Sequence, residues 1–181
     1  MKKPRYKIAV AGAIESGGAS FDALEKAKHV GRAIASRGHF LVTGSHHGFP
    51  MFSAMGAKKA GGNVIYFSPA ASKEEHVDVY RLDHDNADLV VYTGFGHGGA
   101  GIFLARSADA VIIGCGKLDA LHEFNLALKS GKPVGVLKGD WEEDEVVKKV
   151  LGENPRSHQP VIFEEDPDKL VDRLLEMVIK Q

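Results

Sequence analysis

Little in this chain ties it to a membrane, a nucleic acid or an oxidising compartment. One cysteine, Cys115, stands alone among 181 residues. It excludes an internal disulfide framework and fits a reducing cytoplasm. Charge of neither sign prevails: 23 basic residues face 24 acidic ones, for a formal net charge of −1. The basic residues are dispersed and form no stripe suited to a duplex, so nucleic acid is not an expected partner. No apolar window reaches the length of a membrane span, and the first residues lack the apolar core of a signal peptide. Repeats, linkers and low-complexity tracts are missing too. A single domain over residues 1–181 is therefore expected, long enough to bury a real core.

What the chain does have is glycine, 21 of them, and nine histidines. The glycines fall mostly just after expected strands. The clearest unit runs from Ala108 to Leu137. Ala110–Ile113 is an apolar run without polar alternation, as in a parallel strand covered on both faces. Gly114-Cys115-Gly116 breaks it, and Asp119 is placed to cap a helix carrying Leu121, Phe124 and Leu128 at helical spacing. Lys129 and Gly131 mark its stop, and Pro133–Leu137 begins the next strand.

Taken in order, Tyr6–Ala11 reads as a first strand. Ser20 caps a helix from Phe21 to about Arg37, with Phe21, Leu24, Ala27, Ile34 and Ala35 as its buried stripe. His39–Thr43 is a second strand, Met51–Ala60 a helix with Pro50 in its first turn, and Asn63–Phe67 a third strand. Ser68–Asp88 is irregular, with room for a short helix. Leu89–Thr93 is a fourth strand, followed by a glycine loop and a helix over Ile102–Ser107. Asp140–Glu143 resembles a capping box for a helix to about Leu151. Val161–Phe163 is a last strand, and Asp166-Pro167 caps a final helix with Leu170, Val171, Leu174, Leu175 and Val178 on one face. Alternating strands and helices predict an α/β fold: one doubly wound domain, with a mostly parallel sheet of six or seven strands and helices on both faces.

In such a sheet the turns after the strands meet on one rim, where helix N-termini offer free N–H groups to anions. The candidate nucleotide-binding residues are Gly12 and Ser16 in the first loop, Gly44 and Ser45 in the second, and Gly96, His97, Gly98 and Gly99 in the third. Gly116 and Lys117 in the central turn complete the set. His46, His47, His97 and His122 fall on the same rim with Cys115 and Glu123. No pair has the i, i+4 spacing of a metal motif, so no metal is assigned. A neutral histidine donating to phosphate, or stacking on a base, fits such a rim. A metal-dependent enzyme built on these histidines is the alternative. His76 and His84, in the irregular segment, are expected in solvent.

Two stretches carry a family resemblance. LVTGSHHGFPMFSAMGAKKAGGNVIYFSPA (Leu41–Ala70) and SADAVIIGCGKLDALHEFNLALKSGKPVGVL (Ser107–Leu137) resemble the Rossmann-like superfamily of lonely-guy cytokinin phosphoribohydrolases, lysine-decarboxylase-like proteins and molybdenum-cofactor carrier proteins. The likeness covers roughly residues 6–137 and implies a Rossmann-like fold, a phosphorylated nucleotide or pterin-like ligand, and a homo-oligomer. No cofactor is assigned besides. It also implies that Glu123 is the catalytic, ribose-contacting acid of a nucleoside 5′-monophosphate N-glycosidase, akin to glycosidase carboxylates.

The signature turn departs from the active family's Pro-Gly-Gly-x-Gly-Thr-x-x-Glu. Here it reads from Cys115 to Glu123, with Lys117, Asp119 and Ala120 in place of the second glycine, the third glycine and the threonine. The site equivalent to the family's upstream Arg falls near Ala100-Gly101, which has no Arg; Arg106 is nearer the helix end. A carboxylate at Asp119 competes with a phosphate for helix N–H groups, an effect of order 1 kcal/mol or more, which Lys117 can offset. Binding without the standard hydrolysis is the expected function, with active hydrolysis as the alternative.

Overall fold

The computed structural model describes residues 4–14, 20–141 and 161–180, and for residues 117–120 the backbone alone. The strands are β1 (Lys7–Ala11), β2 (Phe40–Gly44), β3 (Asn63–Ser68), β4 (Leu89–Tyr92), β5 (Ala110–Ile113), β6 (Val134–Leu137) and β7 (Val161–Glu164). Between and after them lie α1 (Phe21–Ser36), α2 (Phe49–Lys59), α3 (Gly96–Ser107), α4 (Lys117–Lys129) and α5 (Pro167–Ile179).

Strands β5 and β6 are buried at every residue. Strands apolar on both faces pair in parallel and need a covering layer on each side. All seven join one parallel sheet in the order β4-β3-β2-β1-β5-β6-β7. The chain steps outward from β1 to β4, then returns through α3 to place β5 on the other side of β1. That reversal makes β1 and β5 the switch point of a Rossmann-like sheet. On one face, Ile8, Val10, Leu41, Val64 and Ile112 pack with residues of α1, α2 and α5. On the other, Ala9, Ala11, Val42, Val111 and Ile113 meet Leu104 of α3 and Phe124 and Ala127 of α4.

Local signals set several boundaries. The Ser20 hydroxyl accepts from the Ala23 N–H and starts α1. The Asp166 carboxylate accepts from the N–H groups of Asp168 and Lys169 and starts α5. Other expectations are corrected. Phe21 is 80% exposed rather than part of the buried stripe; the stripe is Ala23, Ala27, Val30, Ala33 and Ile34. Helix α2 begins at Phe49, not Met51. Helix α3 begins at Gly96, so the third glycine loop is helical from its start. Asp119 is not the cap of α4: Gly116 is, at φ 147° and ψ 91°, and Asp119 is the third helical residue. The expected helix of residues 142–151 lies outside the described residues.

The irregular segment after β3 holds one π-helical turn, Glu75–Val79. His76, expected in solvent, is fully buried there. Its Nε2 lies 3.0 Å from the Asp83 carbonyl and its Nδ1 lies 2.8 Å from the Ser68 hydroxyl. Burial pushes its pKa down, so the ring is neutral. A carbonyl only accepts, so Nε2 carries the proton and Nδ1 accepts from Ser68. The Asp83 carboxylate accepts from the Tyr66 hydroxyl at 2.7 Å and from Asn86 at 3.0 Å, and its N–H donates to the Ser45 carbonyl at 3.2 Å. These bonds fasten the segment to the ends of β2 and β3.

Candidate functional site

The turns after β1, β2 and β5 are sewn together by main-chain hydrogen bonds. Ala13 N–H donates to the Cys115 carbonyl at 2.5 Å, Phe49 N–H to the Ala13 carbonyl at 2.8 Å, and Gly114 N–H to the Ala11 carbonyl at 2.8 Å. The buried Phe49 ring fills the space beside Gly12 and Gly114, where a Cβ would come within 3 Å of it. Gly116 is packed against backbone. A Cβ there would lie 2.2 Å from the Ala13 nitrogen, at a φ that favours glycine.

Beside this seam a cleft opens at the C-terminal rim of the sheet. Its lining comes from Val10, Ala11, Gly12 and Ile14 after β1, Gly44, His46 and Pro50 around the β2–α2 turn, and Phe67 of β3. Helix α3 adds His97, Gly98, Ala100, Gly101 and Leu104, and α4 adds His122 and Glu123. The cleft encloses about 190 Å³. Pockets that bury a whole drug-sized ligand start at roughly 300 Å³, so this one seats one end of such a molecule.

Three features set its chemistry. First, α3 starts at the cleft without a side-chain cap. Gly96 N–H donates to the Pro69 carbonyl at 3.1 Å, while the next two N–H groups, of His97 and Gly98, have no acceptor among the described residues. Uncapped first-turn N–H groups favour an anion. Second, the His46 and His97 rings stand 5.0 Å apart, tilted by 31°. The Tyr80 and His97 rings meet edge to face, their centroids 5.3 Å apart. Burial, then the neighbouring His97, His47 and His76, pushes the His46 pKa down to about 4. Third, the Glu123 carboxylate lies against Gly101, where a Cβ would be 2.6 Å from Oε1.

Of the candidate residues, Gly12, Gly44, His97, Gly98 and Glu123 line the cleft together. Gly96 and Gly99 belong to the first turns of α3 but are not part of the lining. Ser45 is fully buried behind it, and its hydroxyl has no partner among the described residues. Gly116 caps α4 from within the seam, and Lys117 opens that helix. Ser16 lies outside the described residues. His46 and His122 belong with the site and were marked only by their place on the rim. Phe67, Gly101 and Leu104 carry no signal in the sequence: Phe67 is the last but one residue of β3, and Gly101 and Leu104 share a helix face at i, i+3. Among the described residues, no three His, Cys, Asp or Glu side chains come together as a metal's ligand set.

The sequence profile of the SLOG cluster4 family matches residues 5–171. The chain belongs to that family. An uncharacterised protein of Archaeoglobus fulgidus is 33% identical over 132 residues, which span 73% of this chain and 82% of the relative. Among solved structures, the molybdenum cofactor binding protein of the phototrophic bacterium Rippkaea orientalis is 29% identical, with a TM-score of 0.75 and 99% of each chain covered. The molybdenum cofactor carrier protein of Chlamydomonas reinhardtii superposes with a TM-score of 0.78 at 23% identity, over 98% of this chain and 100% of its own. That second likeness concerns the fold. The SLOG assignment agrees with the superfamily expected from the two motif stretches. No helix among the described residues is long and apolar enough to cross a membrane.

Proposed function

We propose that this protein binds a phosphorylated nucleotide, a nucleoside monophosphate or a pterin-like nucleotide, in the rim cleft and does not hydrolyse it. The observation that carries this reading is the uncapped N-terminus of α3, opening onto a cleft lined by backbone at Gly12, Gly44, Gly98 and Gly101. Main-chain donors and absent side chains suit the close approach of a phosphate. The cofactor-binding relative at 29% identity supports a ligand of that kind.

Against turnover stand the departures at Lys117, Asp119 and Ala120, and the lack of an arginine near Ala100-Gly101. There the Glu123 carboxylate rests on glycine backbone rather than beside a cation from that position. The second reading, N-glycoside hydrolysis, is favoured by the same residue's place in the cleft. Calorimetric titration with AMP and GMP, run beside an assay for released base, separates the two. Saturable heat without base release is expected. Base release that disappears in Glu123→Gln would overturn the non-enzymatic reading in favour of the hydrolase.

The same proposal holds the chain to be one nucleotide-binding domain, working in the cytoplasm as a homo-oligomer without nucleic acid or membrane as partner. Phe95 and Phe103, exposed and with rings 5.6 Å apart, and the exposed Ile102 give α3 an apolar surface that supports self-association. Sedimentation of the intact chain tests this.

A further inference from the structure

His46 and His97 line the cleft, and the ring nitrogens of neither have a hydrogen bond to any described residue. They come from different elements, the β2–α2 turn and the first turn of α3, and are brought to 5.0 Å by the fold. His97 shares its turn with the free N–H groups described above. The seam between the β1 and α4 turns, by contrast, is closed by backbone packing, with no room for a guest at Gly116. We infer that His46 and His97 hold the phosphate end of the ligand, and that the pair takes up one proton from solvent when the anion binds. This rests on the binding reading above and places the phosphate within it.

The reasoning is electrostatic. A half-buried imidazole stays neutral when no opposite charge faces it. The groups facing His46 are His97, the exposed His47, the neutral buried His76, and Tyr80 beyond His97. His47 is occupied at Nε2 by the Arg81 carbonyl, 2.9 Å away. Glu123 and His122 line the same cleft from α4 and are not among the groups that shift His46. None of the groups that depress His46 is anionic, and burial is the largest of their effects. A phosphate dianion supplies the missing counter-charge and favours protonation of an adjacent imidazole. Two charged rings 5.0 Å apart repel, so one proton is shared rather than two gained. Linkage then makes binding strengthen by up to about tenfold for each pH unit lowered, between the proton affinities of the free and bound pair.

The test is calorimetry of AMP binding to the intact protein at pH 6.8, in buffers of widely different ionisation enthalpy. The slope of observed enthalpy against buffer ionisation enthalpy counts protons taken up. A slope of roughly one half to one proton is expected. In His46→Gln/His97→Gln the slope should fall to whatever the phosphate itself contributes, and affinity should drop about 10- to 100-fold. Equal slopes in the two proteins, or equal affinities, overturn the inference while leaving the binding reading intact. No heat with AMP, GMP or pyrophosphate in the unsubstituted protein removes both. Should the double variant not fold, proton NMR of the unsubstituted protein decides. Two histidine signals must move their titration midpoints upward on AMP addition, and unmoved midpoints with bound AMP overturn the inference.

Discussion

The Glu123 carboxylate lies against the backbone of Gly101, close enough that a Cβ on Gly101 would sit 2.6 Å from Oε1. An acid from α4 is thus seated in a notch of α3. Gly101→Ala fills that notch. The atom met is the far end of a flexible side chain rather than backbone, and alanine is favoured over glycine inside a helix by about 1 kcal/mol. The melting temperature is therefore expected to hold or rise, while AMP affinity falls about tenfold as the carboxylate is pushed into the cleft. A variant that loses stability but binds AMP normally would contradict this.

Acid should destabilise the fold through its buried and half-buried histidines. His46 is held at about 4, and burial likewise lowers His76 and His39. In the unfolded chain these groups titrate near 6.5. Below about pH 6.5 the unfolded state therefore binds protons that the folded state refuses, and stability falls as pH falls. The loss from His46 runs over pH 6.5 to 4 and totals on the order of 3 kcal/mol. Thermal unfolding from pH 7 to 5 should show a declining midpoint. In His46→Gln the decline should be shallower; an identical slope would count against a neutral, half-buried His46.

Where the fold was legible in sequence, local chemistry decided the outcome. The uninterrupted apolar runs of β5 and β6 announce parallel strands buried on both faces, and Ser20 and Asp166 cap their helices with nearby N–H groups. Where it was not, distant contacts overruled local preference. Gly96-His97-Gly98-Gly99 has poor helix propensity, yet it forms the start of α3, a helix packed on the sheet and on α4. Nothing near His76 reveals its burial, because its partners Ser68 and Asp83 converge only in the folded chain. The site was legible as a rim, since topology alone gathers the turns. The pairing of His46 with His97 was not, because it depends on where α3 begins.

The Asp166 cap gives the simplest stability test. Its Oδ1 accepts from the N–H groups of Asp168 at 2.8 Å and Lys169 at 3.1 Å. Asp166→Ala leaves both donors to water at an exposed end, a loss of about 1 kcal/mol. Urea unfolding should show a lower midpoint at unchanged slope, and Asp166→Asn should recover most of the loss.

Arg37 joins the end of α1 to the start of α5. Its Nε and Nη2 donate to the two oxygens of Asp172 at 2.6 and 2.8 Å, and Nη1 donates to Asp168 at 2.9 Å and to the Ala33 carbonyl at 2.9 Å. The two hydrogen-bonded carboxylates raise its pKa above its ordinary value against the opposing effect of burial, and Arg37 in turn holds Asp172 low. The carboxylates are exposed, at 59% and 62%, so salt and water weaken each pair. The two-pronged geometry is what survives that weakening, because a planar fork matches a carboxylate and a point charge does not. Arg37→Lys should therefore lose nearly as much stability as Arg37→Ala, about 1 kcal/mol in each case. Both deficits should shrink in 1 M salt, where the Debye length falls to about 3 Å. Lysine restoring full stability would show that charge alone, rather than the fork, fastens α5 to α1.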